Sequence, residues 1–299
     1  MGTEPAVIPP PAEAVGVLEG RFGCPLVAEP VSRRRGSQVW RLTGDHVRLA
    51  LKADAPGGGA ARGTVSEVGR EDAVLTTLIG VGALDPTYRV AAGAWEGGHW
   101  LAVRWIGGQQ LWRALSTTRG PEGDSPAVRP WLLGIARTWA ERLALLHAAG
   151  WTHADVQPTN TLVDAGTAHL IDYTLACGPT PVDRLPYRGA LTHTTAPEIA
   201  DRLLRTAPDT HVQAEWPADI WGLGASLFWC WTGNRPFAYE DDTPREEMLK
   251  VIAKAGTTPL SDVRPWRFPE FEEAVTACLA PSPQDRPSGA ELAALLGAL

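Results

Sequence analysis

Asp155, Asn160 and Asp172 are the residues whose types and spacing could do chemistry. Two carboxylates and an amide supply oxygen ligands for a hard cation and leave one carboxylate to take a proton. Each alone is a common turn residue. The joint pattern carries more: His153-x-Asp155-x-x-x-x-Asn160, a stretch with hairpin character, then an apolar residue and Asp172.

Such residues need elements that bring them together. Thr161-Leu162-Val163 and Ala168-His169-Leu170-Ile171 are short apolar runs on either side of Asp164-Ala165-Gly166-Thr167, which predicts a β-hairpin. A hairpin folds its ends together, so the loop holding Asp155 and Asn160 should lie beside Asp172. Upstream, Trp131 to His147 has apolar residues on one helical face and is read as core. Pro25 to Asp54 alternates apolar and polar residues, predicting antiparallel strands near 26–32, 38–43 and 47–52. A helix is expected from about Val65 to Ile79, with Glu67, Glu71, Val74 and Leu78 on one face. A carboxylate on an apolar stripe wants a partner. The chain has only three lysines, Lys52, Lys250 and Lys254, and Lys52 stands at a strand end.

Composition sets bounds. The 299 residues are 44% hydrophobic, enough for one large or two small cores. The formal charge of −7 argues against a nucleic-acid partner. No apolar run suits a membrane span, and no basic-then-apolar signal opens the chain. Cys24, Cys177, Cys230 and Cys278 are scattered without a CxxC pair, which suits reduced thiols in a cytoplasm. Residues 1–18 begin Pro-rich and are expected to form a disordered tail. Thr243-Pro244-Arg245-Glu246 has capping-box spacing and predicts a helix start.

The order of these features resembles the protein-kinase superfamily. His153-Ala154-Asp155-Val156-Gln157-Pro158-Thr159-Asn160 is similar to the catalytic loop, and Ile171-Asp172-Tyr173 to the metal-binding Asp-Phe-Gly segment. The resemblance implies an α+β bilobal fold: a small lobe over 19–106, an antiparallel sheet plus one main helix, and a mostly helical large lobe over 107–299. It implies ATP and Mg²⁺ as cofactors. By the same resemblance Asp155 orients the acceptor hydroxyl and accepts its proton, while Asn160 and Asp172 hold Mg²⁺. Val47 to Lys52 resembles the third strand, so Lys52 would pair with the α- and β-phosphates. Glu71 would pair with Lys52, with Glu67 as the alternative. Trp100 to Gly108 resembles the last small-lobe strand and hinge, placing Val103, Arg104 and Ile106 at adenine. Val39 and Ala50 would cover the base on one side and Leu162 on the other. Ala196-Pro197-Glu198 matches the activation-segment terminus. Asp219 matches the helix Asp that bonds the catalytic loop, and Arg286 the partner of Glu198.

Several positions depart from the family pattern. Ser32, Arg34 and Ser37 stand where the phosphate loop usually has glycines, with only Gly36 nearby. The tract Gly57-Gly58-Gly59 and Gly63 reads as a flexible connection. Ala154 replaces the Arg that reads activation-loop phosphorylation. Gln157 replaces the Lys that neutralises the transferring phosphoryl group, a role that Arg184, Arg188 or a substrate group could take. Tyr173-Thr174 replaces Phe-Gly. The leading expectation is a kinase acting on Ser or Thr hydroxyls of a protein or peptide, including a ribosomal natural-product precursor. The alternatives are a small-molecule O-phosphotransferase of the antibiotic type and a nucleotide-binding pseudokinase. The chain ends soon after Asp285-Arg286-Pro287, so acceptor delivery is expected to fall to a partner protein or to a leader segment on the substrate.

Overall fold

Alternation of apolar and polar residues after Pro25 resolves into a sheet whose two faces are both covered. The computed structural model describes residues 9–34, 36–55, 66–179, 189 and 191–298. Two units separate at Trp105 and Ile106.

The first unit runs α1 (Ala12–Phe22), β1 (Val27–Arg34), β2 (Ser37–Thr43), β3 (Arg48–Asp54), α2 (Glu67–Gly80), β4 (Arg89–Trp95) and β5 (Gly98–Arg104). Its antiparallel sheet has the order β1-β2-β3-β5-β4. In β2 the inward residues are Gln38, Trp40 and Leu42, as a period of two requires. Trp40, Leu42, Leu49, Leu51, Trp100 and Ala102 share a core with Ala14 and Leu18 of α1. The expected tail over 1–18 is therefore corrected for its second half. Pro11 is compatible with a helix N-terminus, and Ala14 and Leu18, one turn apart, are both fully buried. Lys52 points to the other face, where α2 packs on β3, β4 and β5.

Helix α2 starts two residues after the expected Val65, which lies outside the described residues, as do Gly57, Gly58, Gly59 and Gly63. Its N-cap is Ser66, whose hydroxyl accepts from Gly69 N at 2.8 Å and donates to Asp54 at 2.6 Å. Asp54 also accepts from His99 N at 2.8 Å. One buried carboxylate thus ties the end of β3 to the start of α2 and to β5.

The second unit runs β6 (Gln109–Gln110), α3 (Leu111–Ala114), α4 (Val128–Ala148), β7 (Thr161–Asp164), β8 (Thr167–Leu170), α5 (Pro197–Arg205), α6 (Trp216–Thr232), α7 (Arg245–Ile252), α8 (Leu260–Val263), α9 (Pro269–Cys278) and α10 (Gly289–Gly297), with short 3₁₀ turns between. Strands β7 and β8 form the expected hairpin, with β6 added at its edge. Gly108 sits at φ +93°, and a Cβ there would lie 2.2 Å from the Val163 carbonyl oxygen. Only glycine lets the chain enter β6 so close to β7. Helix α6 is buried nearly all round and ends at Gly233 in the left-handed region.

The fold is α+β, an antiparallel-sheet unit followed by a mostly helical one. The capping expectation at Thr243 is corrected: α7 begins at Arg245 with Pro244 at its N-cap, and no side chain caps it. A complete capping box forms instead at Ser288 and Glu291 of α10. All four cysteines are buried free thiols. Burial pushes Cys278 up to about 12 and Cys230 higher still, so both stay protonated. Among the described residues no helix is long and apolar enough to cross a membrane.

Candidate active site

In the first unit the site residues lie on β2, β3, β5 and α2. Lys52 Nζ donates to both oxygens of Glu71 at 2.7 Å. The Glu71 side chain is only 1% exposed, and that of Lys52 17%. A buried carboxylate is tolerable because a cation answers it directly. The geometry selects Glu71 over Glu67 as the partner of Lys52. Val39 pairs across the strands with Lys52, and Val103 with Ala50. Directly opposed residues share a face, so these four line the side of the sheet that holds Glu71. Arg104 donates its backbone N–H to Tyr88 O at 2.8 Å. Its carbonyl is thus the backbone group that could serve a ligand. Its guanidinium reaches Thr87 and Asp85.

In the second unit the loop from Trp151 to Asn160 is fixed from beneath. Asp219, in the first turn of α6 and 1% exposed, accepts from His153 N at 2.7 Å and Ala154 N at 2.8 Å. His147 Nε2, on α4, lies 3.0 Å from the same carboxylate. Gly222 faces the loop one turn along α6, where a Cβ would lie 2.8 Å from Val156 O. The clamp holds Ala154 at φ +62°, a conformation that costs an alanine about 1–2 kcal/mol. Charge-assisted bonds to two backbone donors offset that strain.

Above the clamp, Asn160 Nδ2 donates to the Asp155 carboxylate at 2.6 Å and to its carbonyl at 3.1 Å. Gln157 Nε2 donates to the other Asp155 oxygen at 2.5 Å. Ile171 N donates to Asn160 O at 3.0 Å. That bond closes the hairpin onto the loop and sets Asp172 next to Asn160, as the spacing predicts. Asp172 takes φ +65°, which a short polar residue tolerates. Thr152 and Cys177 exchange both backbone bonds, at 2.8 and 2.9 Å, and close the base of the site. Leu162 lies in β7, paired with Gln110 and His169. Ile106 is half-buried at the start of this unit.

The donor set suits magnesium. Asn160 turns its nitrogen to Asp155, so its amide oxygen and the Asp172 carboxylate are the hard ligands on offer. Among the described residues no group of three His, Cys, Asp or Glu could hold a metal. A cation that completes its shell with phosphate and water needs only one or two protein carboxylates.

A family model, the protein kinase domain, matches residues 107–295, more than half of the chain. The chain belongs to the protein kinase family.

The match lies within the second unit and covers the loop from Trp151 to Asn160, the hairpin, α5 to α9 and most of α10. Among relatives, mitogen-activated protein kinase kinase kinase 3 of Arabidopsis thaliana is 34% identical over 50% of this chain and 25% of its own length. Serine/threonine-protein kinase PknE of Mycobacterium tuberculosis is 32% identical over 64% of this chain and 31% of its own. Probable serine/threonine-protein kinase PkwA of Thermomonospora curvata is 30% identical over 66% of this chain and 24% of its own. This chain thus spans about a quarter to a third of the length of these three relatives.

Within the kinase domain, Arg286 and Glu198 form the expected fork, with both N–O distances 2.8 Å. Ala154 borders a cavity of about 20 Å³ that no cation lines among the described residues; Val156, Thr194, Thr195 and Asp219 are among its other walls. Tyr173 is buried and packs against His153, ring centroids 4.9 Å apart. Arg184 and Arg188 lie outside the described residues; of Arg34 only the backbone is described.

Two features of the kinase domain were not read from sequence. His147 supports Asp219 from 72 residues away, which no local pattern signals. An aromatic row runs from Trp112 to Trp229, His193 and Tyr239, with neighbouring centroids 5.2–5.6 Å apart. Burial and Arg235 hold His193 down to about 4, and its Nδ1 lies 2.6 Å from the Tyr239 hydroxyl. His193 is therefore neutral at pH 7.

Proposed function

We propose that the chain is an ATP- and Mg²⁺-dependent kinase that phosphorylates Ser or Thr hydroxyls of a protein or peptide. The observation that carries this reading is the Asp155 carboxylate, fixed between Gln157 and Asn160 on a loop that Asp219 clamps. A fixed carboxylate beside a cation-binding pair is what transfer to an alcohol needs, because positioning and charge neutralisation supply most of the catalysis. The acceptor oxygen bonds to the γ-phosphorus as the bond to the β,γ-bridging oxygen breaks. ADP leaves with that electron pair, and the hydroxyl proton passes to Asp155. Lys52, oriented by Glu71, neutralises the α- and β-phosphates. Asn160 and Asp172 would supply oxygens to Mg²⁺, which would neutralise phosphate charge.

The Ser/Thr kinase names of the relatives and the Glu198–Arg286 fork support a protein or peptide acceptor over a small molecule. A ribosomal natural-product precursor is one such peptide, delivered by a partner protein. Nucleotide binding is tested by melting. A ligand at a hundred times its dissociation constant stabilises the fold by about 2.7 kcal/mol. Wild type with saturating Mg·ATP should melt higher than without it, and Asp172→Asn should respond much less. A wild type that melts at the same temperature with and without Mg·ATP contradicts the reading.

A further inference from the structure

We infer that Gln157 is a positioning residue that holds the Asp155 carboxylate in its working orientation, in partnership with Asn160. The inference rests on the proposed role of Asp155 as proton acceptor, and extends it to a residue that stands where the family pattern has a lysine.

Two observations carry it. Gln157 Nε2 donates to Asp155 Oδ1 at 2.5 Å, and Asn160 Nδ2 to Oδ2 at 2.6 Å. Each oxygen of the carboxylate thus accepts one amide proton, which fixes the plane of the group. Gln157 is itself anchored. Its backbone is extended at φ −157°, and its carbonyl accepts from Asn160 N at 3.1 Å and from the Thr161 hydroxyl at 3.2 Å. Pro158 then locks the next φ.

Gln157 is half-buried, so truncation should leave a folded chain. The experiment reads the orientation of the Asp155 carboxylate in nucleotide-free crystals of wild type, Gln157→Ala and Gln157→Lys, and measures kcat and the KM for ATP on a Ser/Thr peptide. In Gln157→Ala the carboxylate should leave the orientation it holds in wild type. Its kcat should fall by about a hundredfold, the scale of a misplaced catalytic group, with the KM for ATP unchanged. Gln157→Lys restores a donor, so the orientation and kcat should recover. An Asp155 carboxylate in the same orientation in wild type and Gln157→Ala would overturn the inference. If the carboxylate turns as expected but wild type transfers no phosphate to any acceptor, positioning stands and the kinase reading falls.

Discussion

Asp155→Asn is expected to lose phosphoryl transfer by about 10²–10⁴-fold, the usual worth of a general base that also orients its substrate. The substitution keeps size and shape but removes most of the basicity. The structure adds a second effect. Both carboxylate oxygens accept from side-chain amides, Gln157 on one and Asn160 on the other. An asparagine presents one oxygen and one NH₂ group, so one of those amides must face another donor. The loop should then lose order at Gln157 or Asn160 while the Asp219 clamp beneath it is untouched. Mg·ATP affinity, measured by titration, should stay close to wild type, because Asp155 is assigned to the acceptor and not to the nucleotide. Equal transfer by wild type and Asp155→Asn would show that the proton goes elsewhere.

Arg286→Ala should destabilise the second unit by roughly 3 kcal/mol, the lower end of the range for breaking a buried ion pair. The lower end applies because the Glu198 side chain is 27% exposed and can be rehydrated, whereas that of Arg286 is fully buried. All five guanidinium donors are placed: two on Glu198, and one each on the carbonyls of Pro217, Ala280 and Pro281. The planar group also lies 4.9 Å from the Trp221 ring centre. Removing it leaves three carbonyls without that donor as well as one carboxylate without its cation. A loss of that size lowers the melting temperature by roughly 6–12 °C in a unit of this length. Arg286→Lys should recover little, because an ammonium keeps the charge without the fork. If Arg286→Ala melts at the wild-type temperature yet transfers no phosphate, Arg286 belongs to the chemistry and not to the scaffold.

How much of this was legible in the sequence depended on whether the signal was local. The hairpin was legible because two apolar runs flank a turn, and it delivers Asp172 to Asn160 as expected. Glu71 was legible as a carboxylate on an apolar helix stripe, though only the geometry separates it from Glu67. Glu198 with Arg286, and Asp219 with the loop, are pairs 88 and about 65 residues apart. Spacing alone could not join them; family resemblance did. Helix α1 was hidden by the prolines before it, which bias composition towards disorder while leaving Ala14 and Leu18 free to share a helical face. The capping box at Ser288 and Glu291 has the same spacing that drew attention to Thr243, where a proline moves the helix start one residue on. Gln157 could be read only as the loss of a cation. What its amide does instead depends on a side-chain rotamer, which sequence does not encode locally.

The account stands most directly on a phosphate-transfer assay. Wild type and Asp155→Asn are incubated with Mg²⁺ and γ-³²P-labelled ATP over a degenerate Ser/Thr peptide array, with a panel of small alcohols and aminoglycosides alongside. The prediction is acid-stable label on Ser or Thr in the wild-type reaction, absent from Asp155→Asn. Label confined to the small molecules, or nucleotide bound by both proteins with no label on any acceptor, would contradict it.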